Sequence, residues 1–116
     1  MTVRRMKTYT GGQGYVYQYY FVGERPGLEG KNTEYVFDVT SDRKTTYSVS
    51  VVLETSALQA WIREHGRTPT DAEQYAAVKV RLFKAFDEIE DMMSEGRTLT
   101  VDQARLEEAF ATLGVE

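Results

Sequence analysis

Apolar and polar residues alternate in two stretches of the chain. Tyr35, Phe37 and Val39 stand against Glu34, Asp38 and Thr40, and Tyr47, Val49, Val51 and Leu53 stand against Thr46, Ser48 and Ser50. A period of two is that of a strand with one buried face, so both stretches read as strands with their odd positions inward. Directly opposed residues of such a hairpin must share parity, which places Val39 opposite Tyr47 and implies a loop of about three or five residues around Asp42, Arg43 and Lys44. Tyr15 to Val22, dense in aromatic residues, reads as a third strand. A weaker fourth spans Val3 to Thr10 and turns back through Gly11, Gly12, Gln13 and Gly14, where glycines take positive φ at little cost. Gly23 to Asn32, with Pro26 and three glycines, reads as a long loop.

Beyond Leu53 the pattern lengthens to that of helices. Ser56 precedes Gln59, Thr70 precedes Glu73 and Thr100 precedes Gln103, each with the spacing of a capping box at a helix start. Gly66, Gly96 and Gly114 stand where the three helices should stop. The middle helix lines up Tyr75, Val78, Leu82, Phe86, Ile89 and Met93, widened by Val80 and Phe83, with Arg81, Lys84, Asp87, Glu88 and Asp91 opposite. The first offers Leu58, Trp61 and Ile62, with Trp61 expected to be buried against the sheet; the last offers Leu106, Ala109, Phe110 and Leu113. The expected fold is α+β, one domain over residues 1–116, β-rich in 1–53 and helical in 54–116. Three or four mostly antiparallel strands should be covered on one face by three C-terminal helices.

Composition narrows the function classes. At 116 residues, with 41% hydrophobic and 28% charged residues, the chain falls among ordinary globular domains. Without cysteine it has neither a disulfide framework nor thiolate metal ligands, and a reducing cytoplasm is the simplest compartment. The N-terminus lacks the apolar core of a secretory signal, and no segment is long and apolar enough to span a membrane as a helix. The net charge of -4 is uneven: residues 1–50 hold seven basic and five acidic side chains, residues 51–116 seven and thirteen. Only the first half could neutralise phosphates, so overall acidity argues against a nucleic-acid partner.

Candidate chemistry is sparse. His65 is the single histidine, beside Gly66 at a helix end, where an imidazole favours the helix dipole; a catalytic triad would have to use it. Asp87, Glu88, Glu90, Asp91 and Glu95 spread over one helix face without a calcium-loop or Glu-x-x-His pattern, and read as a solvated surface. GGQGYVY opens a strand where a dinucleotide fingerprint should leave one. In the segment from Gly23 to Thr33, which contains Gly30 and Lys31, Arg25 and Asn32 replace the glycine and hydroxyl residue of a phosphate-binding loop. No cofactor or metal is implied.

A chain without a convergent set of titratable residues is best read as a non-enzymatic binding or protein-interaction domain. Its candidate surface is the N-terminal hairpin. With Thr10 opposite Tyr15, Arg5, Lys7 and Tyr9 share a face with Val16, Gln18 and Tyr20, joining positive charge to aromatic rings. Arg5, Lys7, Tyr9, Gln18 and Tyr20 are therefore the expected binding residues, toward a protein partner or a second copy of the chain. Two alternatives use neighbouring residues. A nucleic-acid module would stack bases and meet phosphates through Arg4, Arg5, Lys7, Tyr9 and Tyr20. A small-molecule binder or enzyme would need a cavity between sheet and helices lined by Tyr17, Tyr19 or Tyr35.

Overall fold

A computed structural model describes residues 6–27 and 30–116. Its fold is α+β. Strands β1 (Lys7–Thr10), β2 (Val16–Pro26), β3 (Thr33–Thr40) and β4 (Tyr47–Leu53) form an antiparallel meander. Helices α1 (Thr55–His65), α2 (Asp71–Glu88) and α3 (Met92–Glu95) follow, then strand β5 (Thr98–Val101) and helix α4 (Gln103–Leu113). The sheet has five strands in chain order, and β5 pairs with β4 in parallel. Parallel neighbours need a crossover connection, and α1 to α3 supply it.

Parity places the core as expected. Tyr35, Phe37, Val39, Tyr47, Val49, Val51 and Leu53 are buried beneath the helices, and Val39 is the partner of Tyr47. The connection is longer than the expected loop, since residues 41–46 all lie outside the strands. Asp42 holds it by accepting from the backbone N–H groups of Lys44 and Thr45, which keeps its carboxyl below the usual carboxylate range. Gly23 to Asn32 is also not a single loop. β2 continues to Pro26 past a bulge at Val22, where Phe21 pairs with Phe37 and Gly23 with Val36.

The helical half departs from expectation at two starts and one stop. Thr70 and Glu73 form the reciprocal capping box that begins α2. Ser56, by contrast, lies inside α1, whose N-cap is Glu54. The free N–H of Thr55 is met instead by the Asn32 side chain at 3.0 Å, while the Thr55 hydroxyl accepts from the Asn32 N–H at 2.8 Å. Thr100 lies inside β5, and α4 is capped by Asp102, which accepts from the Arg105 N–H. Leu99 and Val101 are buried while Thr98 and Thr100 are exposed, so this segment has strand alternation too short to stand out beside a capping-box pattern.

The expected single middle helix ends at Glu88. Ile89 is extended (φ -96°, ψ 116°), and Asp91 starts a new turn by accepting from the Ser94 N–H. The phase shifts there: Met92 is 2% exposed and Met93 is 42% exposed, reversing the expected placement of Met93 in the core. α1 packs on α4 and α4 on α2. Trp61 is buried, and its ring meets Phe110 of α4 and the stacked ring of His65. No helix among the described residues is long and apolar enough to cross a membrane.

Candidate functional site

The hairpin register decides which side chains meet. Lys7 pairs with Tyr19, Thr8 with Gln18, Tyr9 with Tyr17 and Thr10 with Val16. This is one residue from the expected pairing of Thr10 with Tyr15, and a one-residue slip exchanges the faces of a strand. Lys7 and Tyr9 therefore share the helix-covered face with Tyr17 and Tyr19, whereas Gln18 and Tyr20 lie on the other face. Arg5 lies outside the described residues, as do Arg4 and Val3 at the start of the expected first strand.

The slip has a physical cause in the glycines. A side chain on Gly11 would stand 2.8 Å from the Phe86 carbonyl oxygen, so the turn packs directly against the end of α2. The Gly12 N–H donates to Asp87 Oδ1 at 2.8 Å, and the Tyr9 hydroxyl donates to the same carboxylate at 2.9 Å. Tyr9 stacks on Phe83 with centroids 4.4 Å apart. Burial, followed by the hydrogen bond to Asp87, pushes the Tyr9 phenol up. Asp87 is thus the docking point of the hairpin, not part of a solvated acidic face.

Two hollows flank this docked hairpin. The first, of about 170 Å³, is lined by Lys7, Tyr19, Tyr20, Phe21 and Tyr75. Above its aromatic floor sits Lys79 of α2, whose Nζ is 5.8 Å from the Tyr19 ring centroid and 5.7 Å from those of Tyr75 and Phe83. Among the described residues, neither Lys79 nor Lys7 has a carboxylate within ion-pair distance. Burial and then the charge of Lys7 lower the Lys79 ammonium. Lys79 was not among the expected site residues, although Tyr75, Lys79 and Phe83 stand four apart and must share a helix face.

The second hollow, of about 510 Å³, opens between the sheet and α3 and is lined by Tyr15, Tyr17, Ser41, Tyr47, Glu90, Asp91, Met92, Met93 and Ser94. Tyr17, expected in a cavity wall, is one of them; Tyr19 and Tyr35 are not. Burial raises the phenols of Tyr17 and Tyr47, Tyr47 to about 12, and Asp91 adds to both. A third hollow lies where α1 meets the C-terminus, lined by Trp61, Glu64, His65, Glu107 and Phe110 among others. There His65 is exposed and stacked 4.2 Å from Trp61, beside an Arg67 guanidinium 5.2 Å from the same ring. Among the described residues, no three acidic or histidine side chains converge as metal ligands. Compared with protein-family models, curated proteins and solved structures, the chain has no significant match.

Proposed function

We propose that the chain is a non-enzymatic binding domain that engages a protein partner at its N-terminal hairpin, taking an acidic side chain of that partner into the hollow between Lys7 and Lys79. The observation that supports this is an aromatic hollow lined by Lys7, with the Lys79 ammonium over two of its rings and no carboxylate paired to either lysine among the described residues. Two like charges beside buried rings are mutually unfavourable, and a bound carboxylate would offset both the repulsion and the desolvation. The volume suits one side chain rather than a nucleotide. The acidic excess of residues 51–116 also repels a polyanion outside this one spot.

Titration with a glutamate-rich peptide, followed by nuclear magnetic resonance, tests the proposal. Shifts should centre on Lys7, Lys79, Tyr19 and Tyr75 and weaken as salt is raised. Lys7→Gln with Lys79→Gln should abolish them, while Arg43→Gln with Lys44→Gln in the β3–β4 loop should leave them intact. Equal loss in both double variants, or no shift at the hollow, would refute the site. Tighter binding of a single-stranded oligonucleotide at the same residues would move the assignment to nucleic acid, and a rise in molar mass without added peptide would move it to self-association.

A further inference from the structure

The second hollow carries a different chemistry and shares no lining residue with the first. Tyr17 and Tyr47 are 2% and 7% exposed, yet neither hydroxyl has a hydrogen-bond partner among the described residues. A buried tyrosine usually places its O–H against a partner. No fully sealed side-chain oxygen in the described structure lacks one. Both hydroxyls must therefore open onto the cavity whose wall they form. The same wall carries the carboxylates of Glu90 and Asp91, the Tyr15 ring, which is 45% exposed, and the thioethers of Met92 and Met93. Arg97 lies 5.6 Å from the Tyr47 ring but does not line the cavity, being held to the Ser48 carbonyl outside it.

We infer that this cavity is a binding site for a primary organic ammonium group. Its N–H groups would donate to the phenol oxygens of Tyr17 and Tyr47 and to the Glu90 and Asp91 carboxylates, with its alkyl chain lying on Tyr15, Met92 and Met93. Phenol oxygens and carboxylates together accept hydrogen bonds from a cation, and the two carboxylates repel an anion. The polarizable thioethers and the exposed ring suit a short alkyl chain. Such a group is carried both by a free alkylamine and by the lysine side chain of a peptide.

Pentylammonium at neutral pH is the direct probe, with pentan-1-ol as the uncharged control and N-acetyl-lysine methylamide as the peptide form. Pentylammonium should move the resonances of Tyr15, Tyr17, Tyr47 and the Met92 and Met93 methyl groups, and pentan-1-ol should not. Glu90→Gln should weaken binding roughly tenfold, as expected for loss of a charged hydrogen bond. Tyr17→Phe with Tyr47→Phe should weaken it too while leaving thermal stability unchanged, because those hydroxyls bond to no other group among the described residues. Equal binding of the lysine derivative assigns the cation to a peptide, and its exclusion assigns it to a free amine. Silence at these residues up to ~50 mM, beyond the millimolar range of a weak site, would overturn the inference. So would equal binding of pentan-1-ol or full affinity in Glu90→Gln.

Discussion

Asn32 and Thr55 show how one side chain can replace the local signal for a helix. Asn32 sits in the left-handed region (φ 63°), which asparagine tolerates better than most residues, and from there its amide oxygen caps α1 across 23 positions of sequence. Asn32→Gly keeps the backbone conformation and removes the cap, so it should cost about 1 kcal/mol, within the usual range for a lost N-cap. Ser56→Ala, at an exposed position inside the helix, should change stability by less than about 0.5 kcal/mol. Urea denaturation of both variants checks the contrast, and equal effects would count against the long-range cap. Glu73 gives a pH-dependent counterpart. Arg67, ahead of the Thr70 N–H, holds its carboxyl down to about 2. A lowered carboxylate stabilises the fold above its unfolded value and loses that contribution as pH falls toward the folded value. The advantage of the native chain over Glu73→Gln should therefore be flat near neutrality and shrink between about pH 5 and pH 2, measured by melting temperature across that range.

At the scale of elements, β5 and the start of α4 separate two readings of one short sequence. Asp102→Ala should destabilise the fold by about 0.5–2 kcal/mol through loss of the cap on Arg105, and by more than Thr100→Ala, whose side chain is exposed on an edge strand. The opposite order in chemical denaturation would return the cap to Thr100. The strands with long alternation, β3 and β4, were legible to the register of Val39 with Tyr47, because a period of two over seven or eight residues admits one buried face. Four residues of alternation in β5 could not compete with Thr100-x-x-Gln103. The break at Ile89 left still less trace: no glycine or proline marks it, and only Asp91 three residues before Ser94 announces a new start. The second hollow was therefore hidden, since its wall exists only where the helix has broken.

Across the whole molecule, the helical half contributes both the cover and the fifth strand, a division that residue composition at Leu53 does not foresee. The hairpin was legible as basic and aromatic, but its register was not, because the four residues of β1 set only Lys7 and Tyr9 against Thr8 and Thr10 and give parity no clear apolar face. The choice was made by Gly11, Gly12 and Asp87, contacts separated by more than seventy residues in sequence. Lys7 and Tyr20 from the expected set still border one hollow, where Lys79 rather than Tyr9 stands over the Tyr19 and Tyr75 rings.

The parallel seam between β4 and β5 also bears on the order in which the chain assembles. β1 to β4 pair with sequence neighbours, whereas Leu53 meets Val101 only after α1, α2 and α3 have been laid across the interval. Closing a long loop costs entropy before its contacts reward it, so that seam belongs late on the folding path. Leu99→Ala, in the buried face of β5, should cost about 2–5 kcal/mol and express nearly all of it as faster unfolding. Val49→Ala, in the meander, should instead slow refolding. Stopped-flow measurements across a urea series separate the two limbs, and a Leu99→Ala variant that refolds slowly in proportion to its lost stability would place the seam in the nucleus. A late seam also means that the edge of β4 is the last to be covered, leaving Ser50 to Leu53 open to pairing with another chain while the molecule is still folding.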